Sequence, residues 1–218
     1  IRIQQVTSPG GISAWLVEEH SIPFTALDMR FAGGAALDAP GKRGATYLMS
    51  GLLEEGTGDM DARDFAKAED GLAASYSYSA NSDSMSISAR FLTENRDEAV
   101  DLLRRSIVEP SLPEDAIARV KDQVLSGIRE DAEDPSSIAS SAFDALAYGD
   151  HPYGSAIEGT AESVAALTRD DLLAAKDNVL VKDRVSIAAV GDITPEQLGT
   201  LLDTLLGDLP AKGAPMPP

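Results

Sequence analysis

Short segments in which apolar and polar residues alternate fill the first part of this chain, and longer segments with helical periodicity follow from Glu94. Alternation with a period of two is typical of strands that bury one face, whereas apolar residues at i, i+3, i+4 and i+7 indicate amphipathic helices. Strands clustered early and helices clustered late predict an α+β domain. We expect two layers, with one mostly antiparallel sheet of about five or six strands packed under helices.

The predicted strands are bounded by turn residues, chiefly glycine, proline, asparagine and aspartate. Pro9-Gly10-Gly11 forms a tight turn between the first two strands, and Asn81-Ser82-Asp83 forms the turn of a hairpin. The predicted strands are Ile1–Val6, Gly11–Glu18, Phe24–Phe31, Ser75–Ala80, Ser84–Leu92 and Arg184–Val190.

The predicted helices follow from apolar spacing and from capping residues such as Thr168 and Thr194. Apolar residues between Ala45 and Leu53 predict the first helix, which we expect Gly56 and Gly58 to stop. The later helices are Asp61–Gly71, Asn95–Val108, Pro113–Asp131, Pro135–Tyr148, Leu167–Val179 and one that starts at Thr194. The buried face predicted for Pro113–Asp131 contains Ile117, Val120, Val124, Leu125 and Ile128.

Composition limits the classes of function. Acidic residues outnumber basic ones by 36 to 18, which gives a net charge of −18. Such a surface repels phosphate and anionic lipid, which argues against nucleic-acid binding; it suits a basic peptide or partner, or simply maintains solubility. No apolar run approaches the ~20 residues that span a bilayer, so we expect no membrane insertion. The chain has no cysteine, which excludes disulfides, thiolate catalysis and cysteine zinc sites.

The chain's 218 residues can bury a sizeable core, and no internal repeat is visible. We therefore predict a single domain over residues 1–209. Residues 210–218 are rich in proline and small residues, and we expect them to be a linker to an absent second half. Because the chain opens on strand-like sequence without a methionine, we also expect that upstream residues were removed.

Five segments, taken in order, resemble the pitrilysin/insulinase family of zinc peptidases, which includes mitochondrial processing peptidase and related bacterial enzymes. They are Ile1–Glu18, RFAGGAALDAPGKRGATYLMSGLLEEGT, VKDQVLSGIREDAEDP, YGDHPYGSAIEGT and VSIAAVGDI. They are spread in order from residue 1 to residue 193, so the resemblance extends along nearly the whole chain and implies the processing-peptidase-like α+β fold.

The resemblance also implies where a zinc site would lie. In this family the helix before a Gly-Thr pair carries H-x-x-E-H, whose histidines bind zinc and whose glutamate activates water. Aligned on Gly56-Thr57, these positions fall on Tyr47, Ser50 and Gly51, and the family's distal glutamate ligand falls on Gly127. All four are degenerate zinc-site positions. We therefore expect no metal ligands, no catalytic residues, no cofactor and no hydrolytic activity.

Other residues have alternative interpretations. We interpret Glu54 as a solvated residue at the helix end and Glu55 as a surface position, and His20 and His151 as turn residues. A catalytic triad that includes Ser50 stays open. The two glycines also allow a purely structural explanation, in which they let helices pack closely, as in a site closed after losing its metal.

Family members consist of homologous halves around a chamber for an unfolded peptide, and some subunits that lack the motif assist an active partner. By resemblance, this chain is the first half of such a non-catalytic subunit. We expect it to bind peptide substrate or to support an active zinc-peptidase subunit, together with its own C-terminal half. The alternatives are a purely structural assembly protein and a hydrolase with rebuilt, non-zinc chemistry. The resemblance favours the periplasm over the cytoplasm.

Overall fold

The computed structural model describes residues 2–216. The strands are β1 Gln4–Thr7, β2 Ser13–Glu18, β3 Phe24–Ala32, β4 Gly56–Thr57, β5 Met60–Asp61, β6 Ser75–Ala80, β7 Ser84–Leu92 and β8 Val185–Gly191. The helices are α1 Ala45–Ser50, α2 Ala62–Gly71, α3 Arg96–Val108, α4 Glu114–Asp131, α5 Pro135–Tyr148, α6 Ala161–Ala166, α7 Arg169–Val179 and α8 Pro195–Leu206. Within the described residues, no helix is both long and apolar enough to cross a membrane.

Six strands form one mixed sheet in the order β1-β2-β8-β3-β7-β6, and β4 and β5 form a separate two-stranded ribbon. Only the pairing of β2 with β8 is parallel, because β8 arrives from the far end of the chain and inserts between β2 and β3. The prediction of an α+β domain with one mostly antiparallel sheet is confirmed.

The core lies between one face of this sheet and the helices. Along β3, Leu27, Met29 and Phe31 are buried, whereas Asp28 and Arg30 between them are exposed, as period-two alternation requires. Side chains from α1, α3 and α8 pack against this buried face. The opposite face of the sheet stays open to solvent, so the helices lie on one side of it.

Local chemistry sets several boundaries as expected. β6 and β7 form the predicted antiparallel hairpin, with its turn at Asn81-Ser82-Asp83. Thr168 and Thr194 each cap a helix through a reciprocal capping box with the residue three positions later. α5 has the predicted bounds. The short helix α6 was not predicted, because its six residues are too few for a periodic signal.

The predicted end of the first helix is wrong. α1 ends at Ser50, six residues before Gly56, and residues 51–54 continue as tight turns. Leu52 N–H donates to the Met49 carbonyl at 3.0 Å, which is the tighter i to i+3 spacing. Leu52 and Leu53 are both fully buried. Glycine is a poor helix former, so Gly51 weakens the helix at this point. The tight turns that follow place both leucines in the core.

The predicted buried face of α4 is only partly correct. Ile117 is buried near the start of the helix, but Val120, Val124, Leu125 and Ile128 are half-buried. α4 runs off the edge of the core, so its apolar stripe faces the core first and a solvent-filled cavity later. Residues 210–216 lie near α7, where the Lys182 N–H donates to the Pro210 carbonyl at 3.0 Å. Their role as a linker stays a prediction, and the last two residues of that segment lie outside the described part.

Candidate functional site

The structure brings Tyr47, Ser50, Gly51 and Gly127 together at one open cavity of about 600 Å³. The first three come from the end of α1, and Gly127 comes from the facing side of α4. Gly51 and Gly127 are 76 residues apart in sequence, and they line the same cavity only because α4 packs beside α1.

None of these four positions presents a strong metal donor to the cavity. Ser50 is buried, and its hydroxyl donates to the Tyr47 carbonyl at 2.8 Å, which is a bond within the helix. Tyr47 is half-buried, while Gly51 and Gly127 have no side chain. A protein zinc site takes thiolate, imidazole or carboxylate ligands, so this set does not fit zinc.

The idea that the two glycines allow close helix packing is wrong. A β-carbon placed on Gly127 would meet no other atom within 4 Å. One placed on Gly51 would make only ordinary contacts, at 3.7 Å to the Leu48 carbonyl oxygen and 4.0 Å to a Val120 methyl. A β-carbon would therefore fit at both positions, and the cavity beside them is open.

Carboxylates make the cavity acidic. Glu54, Glu55, Asp131 and Glu158 line it, and Arg119 is the basic residue among its lining residues. Arg119 donates to Glu55 at 2.6 Å, and the Glu55 side chain is only 14% exposed. The interpretation of Glu55 as a surface position is therefore wrong, because it is held in the wall by an ion pair. Glu54 lies in the turn after α1, beyond the helix end.

The pKa of Glu54 is raised above its ordinary value of 4.5, first because the cavity walls desolvate its carboxylate and second because Glu55 is negative. The folded chain therefore holds this proton at a pH where the unfolded chain has released it. Stability falls as the pH rises through the folded-state pKa.

We expect Glu54→Gln to raise the free energy of unfolding near neutral pH and to leave it unchanged below the ordinary pKa, where both side chains are neutral. Urea unfolding of both proteins at about pH 4 and about pH 8 measures this difference. Glu133→Gln, on an exposed turn outside the cavity, is the control. A gain of equal size at both pH values would contradict the cause given.

Neither histidine of the chain lines the cavity. His20 Nδ1 lies 2.7 Å from Asp192 and its Nε2 lies 3.3 Å from Glu18, at the end of the sheet. These two carboxylates raise the pKa of His20, with Asp192 contributing most. His151 Nδ1 accepts the Tyr153 N–H at 3.2 Å within a local turn. Ser50 therefore has no histidine base beside it, and the geometry gives no support to a serine triad.

A buried pair, Asp38 and Arg43, holds the cavity wall together. Asp38 accepts from the Gly44 and Thr46 N–H groups, each at 2.9 Å, and from the Thr46 hydroxyl at 2.7 Å, so it caps the start of α1. Burial raises the pKa of Asp38, against these hydrogen bonds. The Arg43 guanidinium donates to four carbonyl oxygens, those of Ala35, Pro152, Ser155 and Ala156. It thereby ties the loop that carries Glu158 to the segment before α1.

The edge strand β6 forms another wall through Tyr78, Ser79 and Ala80. Asn81 N–H donates to the Ser84 carbonyl at 2.8 Å and closes the hairpin. Hydrogen-bonded pairs alternate from there, so the N–H and C=O groups of Tyr78 and Ala80 point away from β7. By the same alternation the Tyr76 N–H also points away from β7, and it donates to the Glu69 carboxylate at 2.7 Å. Among residues 2–216, no strand lies on the outer side of β6.

Sequence reasoning did not select Arg119, Asp131, Glu158 or the end of β6 as cavity residues. A signal exists for α4, where Gln123, Gly127 and Asp131 recur at spacing four and so share one helix face. Nothing local marks Glu158, because a distant arginine positions its loop. Among the described residues, no group of three or more histidine, aspartate or glutamate side chains could hold a metal ion.

A second cavity of about 870 Å³ adjoins the first between α4, α5 and residues 154–161. Ile128, Asp131 and Glu158 line both cavities, so the two spaces form one groove. The α5 residues that line this groove are four serines, Ile138 and Asp144.

Comparison with known proteins agrees with this architecture. The sequence model of the insulinase family (peptidase family M16) matches residues 15–161, which is more than half of the chain. The model of the peptidase M16 inactive domain matches residues 166–218.

Relatives include the non-peptidase homolog YmxG of Helicobacter pylori, 26% identical over 88% of this chain and 45% of that protein. The mitochondrial-processing peptidase subunit beta of Neurospora crassa is 24% identical over 97% of this chain and 44% of that protein. The chain thus spans about half the length of the curated relatives it matches.

Among solved structures, the peptidase M16 inactive domain from Pseudomonas fluorescens superposes with a TM-score of 0.91 at 28% identity, covering 99% of this chain and 52% of that one. A protease from Helicobacter pylori superposes with a TM-score of 0.82 at 18% identity, covering 100% and 53%, a likeness that shows the fold alone. Family model, relatives and architecture lead to one conclusion: this chain belongs to the insulinase family, peptidase family M16.

Proposed function

We propose that this chain is a non-catalytic member of its family that binds extended peptide and serves as the substrate-binding or structural partner of an active zinc-peptidase subunit. The observation that carries the proposal is the open cavity lined by Tyr47, Ser50, Gly51 and Gly127. In this proposal these are the positions of the family's zinc ligands and general base. The space for metal chemistry persists, while the donors for it are missing.

The free edge of β6 supports the peptide-binding role. Strand edges accept extended peptides through main-chain hydrogen bonds, and Tyr78 and Ala80 direct such groups towards the cavity. The carboxylates of Glu54, Asp131 and Glu158 surround the same space and favour a peptide that carries lysine or arginine. The peptide would lie along β6 with its basic side chains over the cavity.

The relatives support the loss of activity and the presence of a partner. One is named a non-peptidase homolog, and others are named subunits of the mitochondrial-processing peptidase and of the cytochrome b-c1 complex. Because relatives are about twice as long, we include a second homologous half of the same protein among the partners.

We expect Ala80→Pro to weaken binding of a labelled, unstructured lysine-containing peptide by about tenfold, because one edge N–H is lost. Ala80 is only 8% exposed, but its N–H lies on the outer side of β6, so proline removes no hydrogen bond of the ladder to β7. Equal unfolding temperatures of the proline and serine variants check that the buried position accepts the ring. Fluorescence anisotropy measures the affinity, and Ala80→Ser, which keeps the N–H, is the control. Equal affinity of the proline and serine variants would contradict binding along this edge. Cleavage of the peptide by the purified chain would contradict the non-catalytic role.

An assembly protein without a peptide role is the second candidate. Co-purification distinguishes the two. Recovery of a homologous H-x-x-E-H subunit whose peptidase activity rises with this chain favours the substrate-binding partner, and a stable but inactive assembly favours the structural one.

A further inference from the structure

Helix α5 has its polar and apolar faces reversed relative to a normal surface helix. Most of the α5 residues that line the groove are polar, and they are Ser136, Ser137, Ser140, Ser141 and Asp144; the apolar one is Ile138, which is 50% exposed. The outer face of α5 carries Ala139, Ala142, Phe143 and Leu146, at the spacing i, i+3, i+4 and i+7. A surface helix normally turns such an apolar stripe towards the core.

The stripe is open to solvent. Phe143 is 66% exposed and Leu146 is 88% exposed, and no residue of α5 is buried. Single exposed apolar residues are ordinary on protein surfaces, but a periodic stripe rimmed by polar residues marks an interaction surface. Four apolar residues at helical spacing form a surface of the kind that helices use to dock on a partner.

Contacts at both ends fix the direction in which the stripe points. At the start, Asp134 accepts the Ser137 N–H at 2.8 Å, and the Ser137 hydroxyl donates to Asp131 at 2.9 Å. At the end, the Tyr148 and Tyr153 rings pack edge to face with centroids 5.6 Å apart. Rolling the apolar face inwards would break the Ser137–Asp131 hydrogen bond and the Tyr148–Tyr153 packing, and it would turn the serines away from the groove.

The charge around the stripe selects the partner. Apart from the groove-lining Asp131 and Asp144, residues 129–151 contain four exposed acidic residues and one arginine, and the acidic ones are Glu130, Glu133, Asp134 and Asp150. Two copies of a chain with net charge −18 repel each other, so a second copy is a poor occupant, and an anionic lipid surface is equally disfavoured. An apolar surface rimmed with lysine or arginine complements both the shape and the charge.

We propose that the outer face of α5 docks a partner polypeptide that presents an apolar helical face flanked by basic residues. This surface is distinct from the cavity at α1, since it lies on the opposite side of α5 from the groove. A chain that uses both would hold a peptide in the groove and a protein partner outside it.

The test uses the whole chain and an 18-residue amphipathic helix of leucine and lysine as the probe, with a leucine and glutamate helix as its charge-reversed counterpart. We expect the lysine probe to bind and to slow amide exchange in residues 135–148, and Phe143→Ser with Leu146→Ser to weaken binding by about thirtyfold. Ile22→Ser, at an apolar position 53% exposed in a distant loop, should leave the affinity unchanged.

Several results would overturn the proposal. They are equal affinity of the double serine variant and the parent, exchange protection confined to the groove or to residues outside α5, and equal binding of the glutamate helix. Self-association of the parent that the double serine variant abolishes would assign the face to a second copy. Binding to phosphatidylserine vesicles that depends on Phe143 and Leu146 would assign it to a membrane. Because both residues are exposed, the variant should unfold at the same temperature as the parent, and its circular dichroism checks this.

Discussion

Installing four side chains at the cavity, Tyr47→His, Ser50→Glu, Gly51→His and Gly127→Glu, is expected to create a zinc site of sub-micromolar affinity. The gain over the parent chain should be at least about a thousandfold, because three ligands replace none. Histidines four residues apart lie on one side of a helical turn, and the new glutamate approaches from α4.

The cavity has room for these groups. A β-carbon at Gly127 meets nothing within 4 Å, and Gly51, the residue that caps α1, has φ −77° and ψ −4°, a negative φ that histidine can also adopt. Ser50 is the tightest of the four positions because it is buried. A variant that keeps Ser50 and carries only the three ligands is therefore made in parallel.

Isothermal titration with zinc measures the affinity of each variant. The matched control carries both histidines but keeps Gly127, and it should bind zinc more weakly because one ligand is missing. A folded variant with all three ligands that binds no zinc would show that α1 and α4 do not have the geometry of a metal site.

Arg43→Ala is expected to lower the free energy of unfolding by about 3–5 kcal/mol, the cost of removing one partner from a buried charged network. The Asp38 carboxylate, whose side chain is 2% exposed, would lose its neighbouring positive charge. Four carbonyl oxygens would lose their donor at the same time. The loop that carries Glu158 would separate from α1, and the cavity would lose a wall.

Urea unfolding measures the loss. Arg63→Ala, at an exposed position of α2, should change the free energy of unfolding by less than about 0.5 kcal/mol. Arg43→Lys should recover only part of the stability, because an ammonium group cannot reach four carbonyls as a planar guanidinium does. A loss below about 1 kcal/mol for Arg43→Ala would contradict the network's role in holding the loop.

Elements governed by local chemistry could be predicted from the sequence. The hairpin around Asn81-Ser82-Asp83, the capped starts at Thr168 and Thr194, and both ends of α5 depend on residues close in the chain. Turn and capping hydrogen bonds form within a few residues, so the pattern alone contains the information.

Elements governed by distant packing could not be predicted in this way. The apolar run after Ser50 has helical spacing, yet tertiary burial of Leu52 and Leu53 winds it into tight turns. The stripe of α4 looks uniformly buried in sequence, but the core ends beside Ile117. The insertion of β8 between β2 and β3 likewise depends on contacts across the whole chain.

The candidate site likewise contains residues that could be predicted from the sequence and residues that could not. The resemblance to a family identified Tyr47, Ser50, Gly51 and Gly127, and the structure brings all four to one cavity. It did not identify Glu158, which Arg43 positions from more than 100 residues away in sequence. It also did not reveal the reversed faces of α5, since periodicity shows that a helix has two faces but not which one is turned inwards.

Zinc titration of the unaltered chain shows whether the cavity beside α1 binds a metal ion. We expect dialysed protein to contain no stoichiometric zinc and to give no saturable binding at micromolar zinc, because Tyr47, Ser50, Gly51 and Gly127 supply no thiolate, imidazole or carboxylate. The contrary result would be one equivalent of zinc bound with sub-micromolar affinity and lost when Tyr47 or the residues facing Gly127 are changed. It would show that the cavity does bind metal.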